Sequence, residues 1–296
     1  MSKPIAPPVP PVRPVRARRP SNRVVSRLKR DKGTMTAMGI SALIVMLAIA
    51  APYVTDGQPY SGNALERLKP IGTHGHLLGT DELGRDMWTR LVYGARLSLI
   101  SGAAPVLIAL AIGGSLGVIA GYAGGRVNAL IMRTMDIFYA FPAVLLAIAA
   151  CAVLGPGLLS TIAALSIVFT PSIVRITETA TTRIRGMDYI EAARCSGATD
   201  FRIILHQVLP NVQAPVLVYA SSLAGLSIIL AAGLSFLGLG MSPPNPEWGQ
   251  MLNSLRQSIY VQPWVAALPG LMIFVTSVCF NVISDGLRVA MDVQDG

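Results

Sequence analysis

Charged side chains are scarce in this sequence. Asp, Glu, Lys and Arg make up 13% of its 296 residues, whereas hydrophobic residues make up 52%. A typical soluble domain is about 25% charged. The composition therefore argues against a soluble globular protein and favours one that crosses a membrane several times.

Lysine is rarer still, and the positions of the lysines exclude a phosphate-binding loop for nucleotides. The four lysines, Lys3, Lys29, Lys32 and Lys69, all follow a residue other than glycine. A loop that cradles nucleotide phosphates needs glycine, four residues, Gly-Lys, and Ser or Thr. Because that loop is absent, ATP that drives this protein would have to be hydrolysed by another polypeptide. We expect no cofactor in this chain.

Cysteine and histidine are too few and too scattered to form an evident metal or catalytic centre. Cys151, Cys195 and Cys279 show no CxxC spacing, and their odd count predicts no disulfide framework. His74 and His76 form an HxH pair without a cluster of carboxylates or cysteines to complete a ligand set. We therefore expect no catalytic, cofactor-binding or metal-binding residues. A membrane enzyme built on the HxH pair remains an alternative.

Long uncharged runs are what the sequence does have. Each is long enough for a helix to cross a hydrocarbon core of about 30 Å. Gly155-Pro156-Gly157 divides the longest run into two. We predict an all-α membrane protein with six spans, at Thr36–Val54, within Leu97–Gly125, and at 137–154, 158–174, Val212–Ser235 and Val265–Ile283.

The N-terminal segment is strongly basic. Residues 1–35 are rich in Pro and Arg and contain ten Lys or Arg, so they cannot bury enough apolar surface to fold. We expect a disordered tail near anionic lipid headgroups rather than a nucleic-acid-binding arm or a Pro-rich ligand. The first apolar run begins too late and is too long for a cleavable signal peptide.

The other basic residues indicate an orientation. With the N-terminus inside the cell, eighteen of the 24 Lys and Arg lie on the inner side. Such an excess is typical of cytoplasmic loops. We expect both termini in the cytoplasm and four regions: the tail at 1–35, a first helix with an outer segment at 36–96, the membrane core at 97–284, and a C-terminal tail at 285–296.

A polar stretch on the inner side, Tyr189–Asn211, separates two of the apolar runs, and we call it the Glu-Ala-Ala loop. Glu191, Ala192 and Ala193 favour a short helix. The two alanines have small side chains, so another surface could approach this helix closely.

The second half of the Glu-Ala-Ala loop has the residues of a turn and a second helix. Gly197 offers the positive φ that a sharp turn needs. Thr199 or Asp200 is expected to cap the second helix. Pro210, which follows Leu209, is expected to stop it.

A second polar stretch, Leu78–Leu99, precedes the second predicted span. It begins with Gly79–Asp86, which we call the outer motif and which reads Gly-Thr-Asp, two residues, Gly-Arg-Asp. Thr80 or Asp81 can cap a turn there, and Gly84 permits a bend. Apolar residues then recur at helical spacing, which predicts an amphipathic helix at the membrane surface.

Several smaller patterns also carry expectations. Glycines at a four-residue spacing predict close helix packing, at Gly113, Gly117, Gly121 and Gly125. Gly and Pro residues in Leu234–Met251 predict a structured outer loop. Trp248 and Trp264 are expected at the membrane–water interface.

Two acidic residues lie near the inner ends of spans. We expect Asp136 to form a structural pair with Arg133, three residues earlier, rather than to relay protons. Glu178 and Arg175 are interpreted in the same structural way.

The Glu-Ala-Ala loop resembles the cytoplasmic coupling loop of ATP-binding-cassette (ABC) importer permeases, which in that family docks on a separate ATPase. It departs from the family pattern at Gln207, where an aliphatic residue is usual. The outer motif, Leu234–Met251 and the segment from Phe280 to Arg288 resemble the dipeptide, oligopeptide and nickel branch, in particular its C-type permease. The resemblance extends from about residue 36 to residue 292.

The resemblance implies a type I ABC importer permease in a bacterial inner membrane, forming half of a pathway for peptides or related small solutes. It implies a second homologous permease, two cytoplasmic ATPases that bind the ATP, an outer solute-binding protein and membrane lipid as partners, and no nucleic acid. The implied ATPase-coupling residues are Glu191, Ala192, Ala193, Gly197, Leu209 and Pro210, and the implied outer-entrance residues are Gly84, Arg85 and Asp86. The solute itself is left open.

A secondary transporter or channel that needs no ATP is the alternative. Such a protein would place paired ionisable residues at mid-membrane. Every predicted span is uncharged at its centre.

Overall fold

The computed structural model describes residues 28, 30–55 and 57–291. The predicted disordered tail lies mostly outside these residues, as does the end of the predicted C-terminal tail. The described part is helical and contains two isolated β-bridges in place of a sheet. This confirms the predicted all-α membrane class.

The described helices follow one another with connections of very different length, the longest between Val54 and Met87. They are α1 (Lys32–Val54), α2 (Met87–Ala123), α3 (Gly125–Tyr139), α4 (Ala143–Leu154), α5 (Leu158–Arg185), α6 (Asp188–Cys195), α7 (Asp200–Ile203), α8 (Leu209–Phe236), α9 (Trp248–Ser254) and α10 (Pro263–Met291). Short 3₁₀ turns occur at Ala64–Glu66 and Ser258–Tyr260, and a π-helical turn at Ile204–Val208 joins α7 to α8.

Helix α1 contains a proline whose effect is offset by an arginine of α2. Pro52 has no N–H, so the carbonyl of Ala48 loses its partner within the helix. Arg96 donates to the carbonyls of Ala48 and Ile49, the latter at 2.9 Å. This pairing explains how an arginine is accommodated beside an apolar helix, because its charged group is hydrogen-bonded to backbone oxygens.

Helix α2 is longer than expected. The amphipathic helix predicted at the membrane surface and the second span form one continuous helix of 37 residues, Met87–Ala123. At 1.5 Å per residue it is about 55 Å long. The predicted helix is present, but Leu91 and Ala95 of its apolar face are buried within the protein rather than exposed at a lipid surface.

The glycines of α2 pack against α5. A Cβ atom at Gly113 would lie 2.9 Å from the carbonyl oxygen of Thr170, and one at Gly117 would lie 2.7 Å from that of Val174. A Cβ atom at Gly121 would likewise lie 2.7 Å from the carbonyl oxygen of Glu178. The predicted close packing is therefore confirmed for these three glycines. The fourth was assigned wrongly, because the helix ends at Ala123 and Gly125 begins α3 with open space around it.

The third predicted span, 137–154, is wrong in its extent. The chain forms two helices there, α3 and α4, which meet at an angle of 88°. The break falls at Phe141-Pro142, since a residue before proline is disfavoured in the α conformation. Helix α4 has only 12 residues, about 18 Å at 1.5 Å per residue.

Pro210 does not stop a helix, contrary to our prediction. It lies in the first turn of α8, and the helical segment continues without a break from Asp200 to Phe236. The N–H of Leu209 bonds to the carbonyl of Ile204, five residues earlier. This wider π turn gives the proline ring room where an α turn would clash with the carbonyl four residues back.

Among the described helices, five are long and apolar enough to cross a membrane, and the bent pair α3–α4 brings the number to six if it counts as one span. The last of them, α10, extends to Met291 and so includes residues assigned to the predicted C-terminal tail. Many large apolar side chains on these helices point outward, among them Ile49 and Leu107. Such outward apolar faces suit a lipid environment.

Two apolar clusters hold the helices together. One lies between α2, α4, α5 and α8 and reaches the Glu-Ala-Ala loop. The other joins α1, the first turns of α2, the middle of α8, α9 and α10. Helix α2 contributes residues to both clusters and therefore connects them.

Candidate functional site

The Glu-Ala-Ala loop turns sharply at Gly197, as predicted. Gly197 has a φ of +81°. Its N–H donates to the carbonyl of Arg194 at 2.9 Å, and the N–H of Ala198 donates to that of Ala193 at 3.1 Å. These two bonds form a Schellman motif, in which a left-handed glycine satisfies the last carbonyls of a helix.

Three buried side chains fasten this loop to the rest of the protein. Ile190 of α6, Ile203 of α7 and Val208 of the π turn have exposures of 0%, 1% and 0%. All three belong to the apolar cluster between α2, α5 and α8. The two short helices therefore form a fixed feature of the protein surface rather than a loose connection.

Most of the sequence-predicted coupling residues lie at the surface. Glu191, Ala192 and Gly197 are exposed, and Ala193 is half-buried against the apolar cluster. Leu209 and Pro210 are also exposed, but they lie beyond the π turn, in the first turn of α8. The structure thus brings together the four residues of α6 and its turn, and it places the Leu-Pro pair on a separate element.

The predicted cap of the second short helix is only partly correct. Thr199 occupies the N-cap position, but its side chain makes no capping hydrogen bond. The carboxylate of Asp200 instead accepts a hydrogen bond of 2.6 Å from the hydroxyl of Tyr122, near the end of α2. Tyr122 was not singled out from the sequence.

The outer motif lies at the other end of α2 and is built around a buried carboxylate. Asp81 is 1% exposed and accepts from the guanidinium of Arg85 at 2.6 Å. The Nε of Arg90 approaches the same carboxylate to 3.2 Å. Arg90 also donates to the carbonyls of Pro59 and Pro244, at 2.9 and 3.4 Å. One carboxylate and two arginines thus join three segments of the outer face.

The remaining residues of the outer motif shape its backbone. Gly84 has a φ of +71°, and a Cβ atom there would overlap the backbone of Asn63. Asp86 caps α2 by accepting from the N–H of Thr89 at 2.8 Å, and Nδ1 of His76 lies 3.0 Å from its other oxygen. The predicted role of Gly84, Arg85 and Asp86 at an outer entrance stays a prediction.

A comparison with protein-family models matches residues 113–292 to the binding-protein-dependent transport system inner membrane component. The match covers more than half of the chain, including α5, the Glu-Ala-Ala loop, α8 and α10. The chain belongs to this family.

Individual relatives agree with the family assignment. This permease is 44% identical over 267 residues to the di/tripeptide transport system permease protein DppC of Pseudomonas aeruginosa, covering 88% of each chain. It is 41% identical over 250 residues to the glutathione transport system permease protein GsiD of Pectobacterium atrosepticum, covering 84% of this chain and 83% of that one. The protein is therefore a permease subunit of an ABC importer, and neither a secondary transporter nor a membrane enzyme.

A solved structure supports the predicted type I fold. The permease aligns with an inward-facing crystal structure of the MetNI methionine ABC transporter with a TM-score of 0.57. The alignment covers 69% of this chain and 98% of that chain at 21% identity.

Sequence reasoning missed part of the inner surface of the permease. Large apolar side chains are exposed on or beside the Glu-Ala-Ala loop, namely Met187, Tyr189, Phe201 and Leu205. Phe201 is 75% exposed. The signal was present in the sequence, since apolar residues in an otherwise polar loop need a surface to cover them.

The prediction for Trp248 was wrong. Its side chain is fully buried, and the indole N–H donates to the carbonyl of Leu91 at 3.0 Å. The adjacent Glu247 caps α9 by accepting from the N–H groups of Gly249 and Gln250 at 3.0 and 2.9 Å. Burial raises the pKa of the Glu247 carboxyl above its ordinary value, although these bonds act in the opposite direction. Trp264, by contrast, is exposed as an interfacial residue would be.

The predicted pair of Asp136 with Arg133 is present but long, and Asp136 and Glu178 each also contact another helix. Asp136 accepts from Arg175 of α5 at 2.8 Å, whereas Arg133 comes only within 3.9 Å of it. Glu178 accepts a hydrogen bond of 2.6 Å from the amide of Asn128. These two hydrogen bonds join helix α3 to helix α5.

The HxH pair does not form a metal site among the described residues. His76 lies between Asp86 and Glu66, whose carboxylate is 3.6 Å from its Nε2. No group of three His, Cys, Asp or Glu side chains in the described part of the chain is arranged to hold a metal ion.

Two clefts in the described part of the permease lie beside the Glu-Ala-Ala loop. One, of about 510 Å³, lies between α2 and α8 and is mainly apolar, with Leu209 in its wall. The other, of about 760 Å³, lies between α5 and α8 and includes Arg175, Arg183 and Tyr189. Both adjoin the Glu-Ala-Ala loop, so a movement of this loop would change their shape.

Proposed function

We propose that this permease imports short peptides, including tripeptides of the glutathione type. The observation that carries the proposal is the 44% identity to a di/tripeptide permease over 88% of both chains. The relation to a glutathione permease at 41% identity widens the solute class to modified tripeptides.

The permease works with ATPase subunits, as its family implies. We propose in detail that it pairs with a second homologous permease, that two cytoplasmic ATPases hydrolyse the ATP, and that an outer solute-binding protein delivers the solute. The absence of a Gly-Lys-Ser/Thr phosphate loop in the sequence supports hydrolysis by a separate chain.

The Glu-Ala-Ala loop is the proposed contact with the ATPase. Its Glu191, Ala192 and Gly197 are exposed, as are the apolar side chains of Tyr189 and Phe201 in the same loop. Small residues allow close approach, and exposed apolar side chains gain free energy when a partner covers them. Leu209 and Pro210 are proposed to contribute from the first turn of α8.

Transport would then follow from coupled movement. Closure of the ATPases on ATP displaces the two Glu-Ala-Ala loops, and the two permeases tilt to open the central pathway to one side at a time. Gly84, Arg85 and Asp86 are proposed to hold the outer end of α2 in place at the entrance. The chain is an integral membrane protein, and we propose that both termini face the cytoplasm of a bacterial cell.

Reconstitution tests this function. The purified permease alone is expected to show no ATPase activity. The complex with its co-expressed partners in vesicles is expected to take up a labelled dipeptide and glutathione only when ATP and the binding protein are present. A labelled sugar of similar mass serves as the control solute.

Two results would contradict the proposal. Appreciable ATP hydrolysis by a homogeneous preparation of the single chain would show that the ATPase is not a separate subunit. Uptake of the sugar with exclusion of both peptides would show that the solute class is wrong.

A further inference from the structure

The inner end of α2 meets both halves of the Glu-Ala-Ala loop at one side chain. Tyr122, in the last turn of α2, is 8% exposed. Its hydroxyl donates to Asp200 at 2.6 Å, and Asp200 begins α7, the helix after Gly197. The guanidinium carbon of Arg194, in the last turn of α6, lies 5.2 Å from the centroid of the Tyr122 ring.

These two contacts hold the loop on either side of its turn. Arg194 precedes Gly197 and Asp200 follows it, and a Cβ atom at Gly197 would meet no other atom within 4 Å. The turn at Gly197 therefore has no close neighbour at the Cβ position, whereas the helices before and after it, α6 and α7, both contact Tyr122. A cation over an aromatic ring and a hydrogen bond to a carboxylate are both stronger than contacts between neutral groups.

Helix α2 is well placed to pass on a displacement received at Tyr122. Its last turns pack closely on α5, because Gly117 and Gly121 have no side chain and the backbone and threonine side chains of α5 fill that space. Arg185, at the end of α5, also donates to the carbonyl of Gly121 at 3.4 Å. The other end of α2 begins directly after the outer motif. Closely packed helices move as units, since packed interiors have little room to deform.

We propose that Tyr122 is a positioning residue that transmits movement of the Glu-Ala-Ala loop to α2. This inference rests on the proposed function, in which the loop is the contact with the ATPase. Without the Tyr122 hydroxyl, α7 loses its hydrogen bond to α2 and is held by apolar contacts such as that of Ile203, so the ATPases move the loop without moving α2 to the same extent. ATP is then hydrolysed with less transport.

The tether is tested first, by a measurement that does not depend on transport. Cys195 is exposed beside the turn, and a spin label is attached there after Cys151→Ala and Cys279→Ala remove the two buried cysteines. In the assembled complex, Tyr122→Phe and Asp200→Ala are expected to make the label more mobile. Tyr53→Phe, at a 91% exposed tyrosine, is expected to leave the spectrum as in the parent, and Asp200→Asn, which keeps an acceptor oxygen but loses the charge, is expected to have a smaller effect than Asp200→Ala. An unchanged spectrum in Tyr122→Phe would overturn the tether.

The role in transport is tested by the amount of solute taken up per ATP hydrolysed. Removing a hydrogen bond to a charged group changes an equilibrium by about tenfold, so Tyr122→Phe is expected to lower this ratio by about that factor. Asp200→Ala should lower it to a similar extent, and the double variant should be no worse than either. Tyr53→Phe should match the parent, and Asp200→Asn should lower the ratio less than Asp200→Ala does.

The outcomes distinguish an error in the proposed role of Tyr122 from an error in the proposed import of peptides. A more mobile label together with a parental ratio in Tyr122→Phe would overturn the transmitting role. An additional loss in the double variant would show that Tyr122 and Asp200 act separately, which would also overturn it. Failure of the parental complex to take up peptides would instead contradict the proposed function, and the spin label would still decide whether the tether exists.

Discussion

At the scale of single residues, Gly197 acts through its backbone conformation alone. Its φ of +81° is one that residues with a Cβ rarely adopt, yet nothing within the chain lies close to the position of that Cβ. Any loss of function from a larger side chain would therefore come from backbone strain or from a partner that approaches the turn.

Gly197→Val separates these causes when it is compared with Gly238→Val. Gly238 has a φ of +80°, open space around it and the same pair of Schellman bonds at the end of α8. Both variants should lose about 1–2 kcal/mol through strain. Only Gly197→Val is expected to abolish substrate-stimulated ATP hydrolysis and uptake in vesicles, measured per inserted complex. Equal losses in the two variants would show that strain alone is responsible.

Glu247 is a buried carboxyl whose protonation affects stability. Its pKa is raised above the ordinary 4.5 by burial, so the folded state favours the protonated form. The protein is then most stable below the ordinary pKa, and that stability is lost as the pH rises through the raised pKa of the folded state.

Glu247→Gln removes this titration while keeping one acceptor oxygen. The melting temperature of the parent in detergent is expected to fall relative to that of the Gln variant as the pH rises above 4.5. Glu191→Gln, at an exposed position, serves as the control and should follow the parent. A difference between the parent and Glu247→Gln that stays constant with pH would contradict this prediction.

At the scale of elements, α2 is the helix on which both motifs depend. The outer motif precedes its first turn, and Tyr122 lies in its last. Its packing on α5 relies on glycines on one side, while the neighbouring Gly114 faces open space.

Gly117→Val and Gly114→Val test this packing within one turn of the same helix. A Cβ atom at Gly117 would lie 2.7 Å from the Val174 carbonyl oxygen, whereas one at Gly114 would meet nothing within 4 Å. Gly117→Val should lower the unfolding free energy by about 1–3 kcal/mol through overpacking. Gly114→Val should have little effect. The measurement is thermal unfolding in detergent, and similar losses for both variants would argue against the α2–α5 contact.

Two elements differ from what their sequence suggested, and the reason is physical in each case. Pro142 ends one helix and begins another at 88°, although the uncharged run continues across it. Pro210 leaves its helix intact, because a π turn absorbs the ring. A proline indicates a break in α-helical hydrogen bonding, but whether the chain bends, widens or stops depends on the surrounding packing.

At the scale of the whole molecule, the two candidate sites lie at opposite ends of α2, about 55 Å apart at 1.5 Å per residue. The Glu-Ala-Ala loop contacts the last turn of α2, and the outer motif caps its first. The distribution of basic residues predicts that the loop is the cytoplasmic end.

Cysteine labelling tests this orientation. In a background without the three native cysteines, Ser242→Cys should react with an impermeant maleimide in intact cells. Arg183→Cys, on the side of the Glu-Ala-Ala loop, should react only after the membrane is opened. Both positions are exposed, so access to the reagent depends on the side of the membrane. Labelling of both cysteines in intact cells would contradict the predicted topology.

The sequence by itself determined the membrane class, the existence of most spans, the left-handed turn at Gly197 and the family resemblance. These depend on composition, on long uncharged runs and on local residue patterns, all of which are properties of neighbouring residues. Only the tertiary structure decided that Trp248 is buried, that Asp136 pairs with Arg175, and that Tyr122 meets Asp200. Each of these contacts joins residues far apart in the chain, and their pairing is set by how the helices pack.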